Sequence, residues 1–317
     1  MLSSLFFLII GFILLGAGAE LLVGGSSRLA LRLGVTPLVV GLTIVAFGTS
    51  APELAVSIDS TLSGLGALAL GNVIGSNIAN IGLILGVTAL IQPIHIELDL
   101  VRKQIPIVIA CSVMLGLLLL DGSLSRLDGI LLVAGLTAYL FLNYRQGKTE
   151  LPAESAIPLP EVVAPKKPGS TWLNILFIIA GLALLVAGSH IFVEQAVSIA
   201  RLLGISEAII GLTLVAIGTS IPELATSVLA AFRRQSDIAI GNVVGSNTFN
   251  ILCVLGLTSL VGSISGEQFS LLDFGTMLVF ACILLPLARS SFTLTRSEGA
   301  ILLIAYAAYI GYIATQG

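Results

Sequence analysis

Charge is what this sequence has least of. Only 10 % of its 317 residues are Asp, Glu, Lys or Arg, against 56 % apolar ones, whereas soluble domains run at about a quarter charged. A water-soluble globular domain is therefore excluded. Regular alternation of polar and apolar residues is also missing, which excludes a transmembrane barrel. Cysteine is nearly absent. Cys111, Cys253 and Cys282 each stand in apolar segments at spacings that match no disulfide framework or metal motif, and they read as small buried hydrophobes. No basic region precedes the first apolar run, so that run reads as a span and not a cleaved leader. No phosphate-binding loop and no nucleic-acid footprint is found, and nothing points to an enzyme, a cofactor or an obligate protein partner; a monomer is expected.

What the sequence does have is apolar runs of membrane-crossing length, with a mean hydropathy of +1.10. In lipid, backbone polar groups must be satisfied internally, so such runs form helices. Ten spans are expected, at 4–26, 35–60, 66–91, 104–120, 127–143, 172–195, 205–231, 236–261, 270–288 and 298–314. Between the fifth and sixth lies the one long polar stretch, rich in proline, lysine and glutamate, which reads as a flexible linker over 144–170. The chain thus divides into a five-helix unit at 1–143, the linker, and a second five-helix unit at 171–317. With both termini outside, twelve basic residues, among them Arg28, Arg32, Arg102, Lys103, Arg233 and Arg234, fall on the inner side. Only Arg126 and Arg201 fall outside. This asymmetry places the linker in the cytoplasm and the protein in the plasma membrane, the inner one in a Gram-negative host.

The two units repeat each other. Residues 41–60, GLTIVAFGTSAPELAVSIDS, match 211–230, GLTLVAIGTSIPELATSVLA, at thirteen of twenty positions. Residues 71–90, GNVIGSNIANIGLILGVTAL, match 241–260, GNVVGSNTFNILCVLGLTSL, at twelve of twenty, and both pairs keep an offset of 170. The identities fall on Gly, Thr, Ser, Pro, Glu and Asn, so a site has been duplicated and not merely a greasy surface. Equivalent residues lie five spans apart, an odd number. The copies therefore cross the membrane in opposite directions, a recurrent design of secondary transporters. The expected fold is an all-α membrane protein of ten helices in two inverted five-helix repeats, with helices two and seven discontinuous.

Glu53 and Glu223 sit near the middle of spans two and seven. A carboxylate there costs several kcal/mol unless neutralised, paired or coordinated, and two in matching motifs point to function. Pro52 and Pro222 precede them and should kink or break each helix, with Gly48 and Gly218 easing the distortion. Carbonyls released around Ala46 to Ser50 and Ala216 to Ser220 can then face an ion, joined by the hydroxyls of Thr49, Ser50, Thr219 and Ser220. Spans three and eight add a polar stripe, Asn72, Ser76, Asn77 and Asn80 mirrored by Asn242, Ser246, Asn247 and Asn250. Asn72 and Asn242 are expected to hold helices together, with Asn77 and Asn247 also structural, while Ser76, Asn80, Ser246 and Asn250 line the site. Gly71, Gly75, Gly241 and Gly245 permit close helix approach. Every ligand is an oxygen, which suits a hard cation. Calcium accepts six to eight oxygens at about 2.3–2.6 Å in flexible geometry, and two carboxylates balance one such ion. When calcium leaves, sodium ions or protons must neutralise the site, and that requirement is the basis of exchange.

These paired motifs, GTSAPE…GNVIGSNIAN and GTSIPE…GNVVGSNTFN, resemble the alpha repeats of the calcium/cation antiporter superfamily, in particular its compact prokaryotic sodium/calcium exchangers. The resemblance spans essentially the whole chain and is strongest over 41–90 and 211–260. It implies electrogenic alternating access in which several sodium ions exchange for one calcium, with calcium extruded. It implies Glu53 and Glu223 as central ligands shared by both ions and carbonyls of Thr49 and Thr219 for calcium. Flanking sodium sites would use Ser50, Ser220, Ser76, Ser246 and the carbonyls of Ala46 and Ala216. Spans one and six would slide against the remainder. Asn250 stands where potassium-dependent relatives carry Asp, which argues against potassium co-transport. The alternatives are a proton/calcium antiporter and a passive cation channel. Glu20 and His190, at equivalent positions, read as packing or interfacial residues, and His95, Glu97 and Asp99 as an ordinary solvated loop.

Overall fold

In the computed structural model, residues 2–149, 170–203, 218–266 and 271–316 are described. Among them, eight helices are long and apolar enough to cross a membrane, and a ninth span is the bent pair Pro37–Thr49 and Ala51–Leu62. The tenth is represented by Ile221–Phe232, the second half of span seven; its first half and most of the polar linker lie outside the described residues. The ten-span reading and its all-α class stand, as an integral membrane fold.

Spans three and eight end where expected, at Gly66–Ile91 and Ser236–Val261, and they form the buried heart of the bundle; span eight is buried in protein throughout 238–256. Spans one and six run further than hydropathy indicates, as helices Leu2–Leu33 and Thr171–Leu202 of 32 residues each. At 1.5 Å per residue each is about 48 Å long, more than the roughly 30 Å of hydrocarbon, so both must tilt or project. Span five likewise continues through Arg126–Thr149, beyond the expected limit at 143.

Spans one and six cross backbone to backbone. A Cβ on Gly18 would lie 2.8 Å from the Gly181 carbonyl oxygen, and one on Gly181 would lie 2.7 Å from that of Gly18. Gly11 and Gly188 make the same reciprocal approach, each with 3.0 Å to the other's carbonyl. Any side chain at these positions would force the helices apart.

A feature not foreseen is a pair of short antiparallel ladders. Ile94–His95 pairs with Thr293–Leu294, and Ser123–Leu124 pairs with Ile264–Ser265. The offset of 170 maps one ladder onto the other, so each joins a loop of one repeat to a loop of its mate. The segment at His95 is thus not an ordinary solvated loop: His95 meets the Thr293 hydroxyl at 3.1 Å, while Lys103 pairs with Asp99 at 2.6 Å. Cysteine needs a similar correction. Cys111 and Cys253 are buried, but Cys282 lies on the outer surface of the bundle, where an apolar thiol is equally at home in lipid.

Candidate functional site

The chain bends by 42° between Pro37–Thr49 and Ala51–Leu62. Pro52 supplies no amide hydrogen for the carbonyl four residues back, and the new half-helix starts at Ala51 with Glu53 in its first turn. Ile221–Phe232 starts in the same way after Ser220, with Glu223 in its first turn. Each carboxylate therefore lies at the positive end of a half-helix dipole, where negative charge is favoured. Both are fully enclosed, and no other charged side chain among the described residues is buried. None of the ion pairs formed by those residues reaches either acid.

The acids are held by hydroxyls of both repeats. Ser50 donates to Glu223 Oε1 at 3.4 Å, and Ser220 donates to Glu53 Oε1 at 3.1 Å. Ser76 also reaches Glu53 Oε1 at 3.4 Å and lies 3.3 Å from Ser220. Thr49 donates to Asn242 Oδ1 at 3.1 Å and lies 3.5 Å from the hydroxyl of Ser246. The second oxygen of each carboxylate, Oε2, is buried without a protein donor, and so are Oδ1 of Asn80 and Oδ1 of Asn250. These four acceptors form two pairs related by the repeat. Burying an acceptor unpaired costs about 1–3 kcal/mol, and oxygen acceptors of this kind can ligate a hard cation. Thr219 faces Glu53, but its hydroxyl makes no regular hydrogen bond.

Asn72 donates to the Glu53 carbonyl at 3.2 Å and to Ser57 at 3.0 Å; Asn242 donates to the Glu223 carbonyl at 3.4 Å and to Ser227 at 2.9 Å. They fasten span three to span two and span eight to span seven. The Ala46 carbonyl already accepts the Ser50 amide at 3.0 Å, so the helix is intact there and the break falls later. Ala216 lies outside the described residues. Gly48 has ordinary helical geometry, and what needs its missing side chain is Leu182 of span six, whose Cδ2 lies 2.5 Å from where a Cβ would stand. The glycine is there for packing as much as for bending.

Ser57, Ser227 and Ser189 were missed. Ser57 and Ser227 are identical at the offset of 170, so the repeat carried a signal for them. Ser189 donates to the Gly218 carbonyl at 2.8 Å, which is the carbonyl left without a helical donor by Pro222. Its repeat equivalent is Ala19, and the duplication therefore gives no hint of it.

Gly241 lies under Leu38 and Leu42, and Asn242 is fully buried.

Two oppositely directed half-helices that bring their acids together at a buried centre, with hydroxyls and amides exchanged across the repeat, define a secondary transporter of the inverted-repeat class. The chain belongs to the sodium/calcium exchanger protein family, which matches residues 3–145 and 173–315. It is 38 % identical over 316 residues to the putative antiporter CaxA of Alkalimonas amylolytica, with 98 % of each chain covered. With the sodium/calcium exchanger MaX1 of Methanosarcina acetivorans the identity is 33 % over 337 residues, covering 96 % of each. A solved structure of the sodium–calcium exchanger NCX_Mj superposes with a TM-score of 0.83 at 32 % identity, covering 97 % of this chain and 98 % of that one.

Proposed function

We infer that this protein is a secondary antiporter that exchanges sodium for calcium across the membrane by alternating access. One observation carries the reading: two enclosed glutamates from inverted half-helices, each with a carboxylate oxygen that no protein group satisfies. A formal charge of −2 matches one calcium ion, and the all-oxygen donor set suits a hard cation. The empty, doubly charged centre is too costly to carry through lipid-facing protein unoccupied, so the return step needs other cations. The names of MaX1 and NCX_Mj as sodium/calcium exchangers support sodium in that role.

In this reading Glu53 and Glu223 bind both ions, with carbonyls of Thr49 and Thr219 and amide oxygens of Asn80 and Asn250 completing the calcium shell. Ser50, Ser76, Ser220, Ser246 and the carbonyls of Ala46 and Ala216 serve the flanking sodium ions. The two five-helix units are 1–143 and 171–317, joined through a cytoplasmic linker, and both termini face outward. Calcium uptake into sodium-loaded proteoliposomes tests the assignment of the acids. Glu53→Gln or Glu223→Gln should reduce uptake to the protein-free background, and uptake retained at more than a tenth of the wild-type rate in either variant would remove that acid from the site.

A further inference from the structure

At the crossing of spans three and eight, four asparagines form a closed set of hydrogen bonds. Asn77 Nδ2 donates to the backbone carbonyl of Asn247 at 3.3 Å, and Asn247 Nδ2 donates to that of Asn77 at 3.3 Å. Asn80 Nδ2 donates to Asn247 Oδ1 at 2.9 Å, and Asn250 Nδ2 donates to Asn77 Oδ1 at 3.0 Å. Asn77 Nδ2 also faces the sulfur of Met277 at 3.7 Å. All four side chains are buried, 1 % exposed or less.

The direction of every bond follows from one fact. A backbone carbonyl only accepts, so the atom of Asn247 that meets the Asn77 carbonyl must be its NH2 group. Its other atom is then Oδ1, which can be met only by a donor, and this fixes the Asn80 amide with NH2 toward Asn247. The remaining atom of Asn80 is its oxygen. The same chain of reasoning runs from the Asn247 carbonyl through Asn77 to Asn250. Both leftover oxygens, Asn80 Oδ1 and Asn250 Oδ1, are buried without a donor. Turning either amide over would set two acceptors against each other and aim an NH2 group into a site built for a cation.

We propose that Asn77 and Asn247 are positioning residues, each of which holds the site asparagine of the opposite repeat with its amide oxygen toward the transported cation. The proposal rests on the exchange function inferred above. It goes beyond a structural role, because the two residues act through their partners: Asn247 through Asn80, and Asn77 through Asn250. Orientation is supplied by the backbone of the other repeat and not by the ion.

The test is a set of double-mutant cycles on the full-length protein in proteoliposomes, reading the calcium concentration for half-maximal uptake and the maximal rate. Asn247→Ala and Asn80→Ala should each raise the half-saturating concentration about tenfold, equivalent to about 1.4 kcal/mol, with the maximal rate changed much less. Together they should cost little more than either alone, and Asn77→Ala with Asn250→Ala should behave alike. The pairs within one repeat, Asn77 with Asn80 and Asn247 with Asn250, should multiply to about a hundredfold. Multiplying effects in the crosswise pairs, equal coupling in the same-repeat pairs, or unchanged calcium affinity in the single variants would each overturn the proposal. Where an alanine variant fails to run as a monodisperse species, the serine variant takes its place under the same criteria. Protection of the detergent-purified protein against thermal unfolding by calcium gives the same cycles without transport. Wild-type uptake independent of sodium would thus contradict the exchange function, and the crosswise pattern would still decide the asparagine arrangement.

Discussion

At the scale of single residues, the site depends on small hydroxyls and amides that each close one bond. Ser227 illustrates the size of such a term. It accepts from Asn242 at 2.9 Å in a fully buried setting, so Ser227→Ala should lower stability by about 1 kcal/mol. The thermal midpoint in detergent should fall by a few degrees while sodium-dependent calcium uptake persists; an unchanged midpoint would show the bond to be dispensable. The acids and asparagines were legible because each appears twice at the offset of 170 in an apolar background. Ser189 was not, since its partner position is Ala19 and its role comes only from packing beside the carbonyl that Pro222 leaves free. Nor could one chain read alone reveal that Asn77 serves Asn250, because that pairing exists only after the repeats have crossed.

At the scale of elements, hydropathy located every span but not every end. Span three stops at Gln92, before Pro93, and span eight stops at Gly262. Spans one and six continue past Arg28, Arg32 and Arg201 because leaving the hydrocarbon does not end a helix. The break at Pro52 was legible from the proline, but the reason for Gly48 was not, since Leu182 comes from another span. Two glycines now make opposite predictions. In Gly48→Ala the new methyl meets the flexible tip of Leu182, so the cost should be about 1 kcal/mol and Leu182→Ala should relieve it. In Gly18→Ala the methyl meets the Gly181 carbonyl at 2.8 Å, which cannot step aside, and the loss should approach about 3 kcal/mol. Thermal unfolding of the purified variants ranks them, and a larger loss for Gly48→Ala would contradict the packing described here.

At the scale of the whole molecule, the repeats are held together by the asparagine crossing, the two short ladders and a surface ion pair. That pair joins Glu20 of span one to Arg233 after span seven, and both partners are substantially exposed. Glu20→Gln should therefore change stability by less than about 1 kcal/mol, a result that thermal unfolding at low and high salt can check. The distribution of basic residues predicts a topology with the linker inside. Cysteines introduced near either terminus should react with an impermeant thiol reagent added outside intact cells, and one placed in the 150–169 linker should not; labelling of the linker would reverse the orientation. The ladders escaped the sequence because two-residue strands carry no periodicity, whereas the inversion itself needed only an odd number of spans between matching motifs.

The central claim is that an inward sodium movement drives calcium out through a site of two acids, and proteoliposomes loaded with sodium test it in reverse. Calcium uptake should require the outward sodium gradient, should be unaffected by a pH gradient alone, and should generate an inside-negative potential, because more than two sodium ions leave for each calcium that enters. Uptake that follows the pH gradient in the absence of sodium, or calcium flux indifferent to both gradients, would contradict the account in favour of proton exchange or a passive channel respectively.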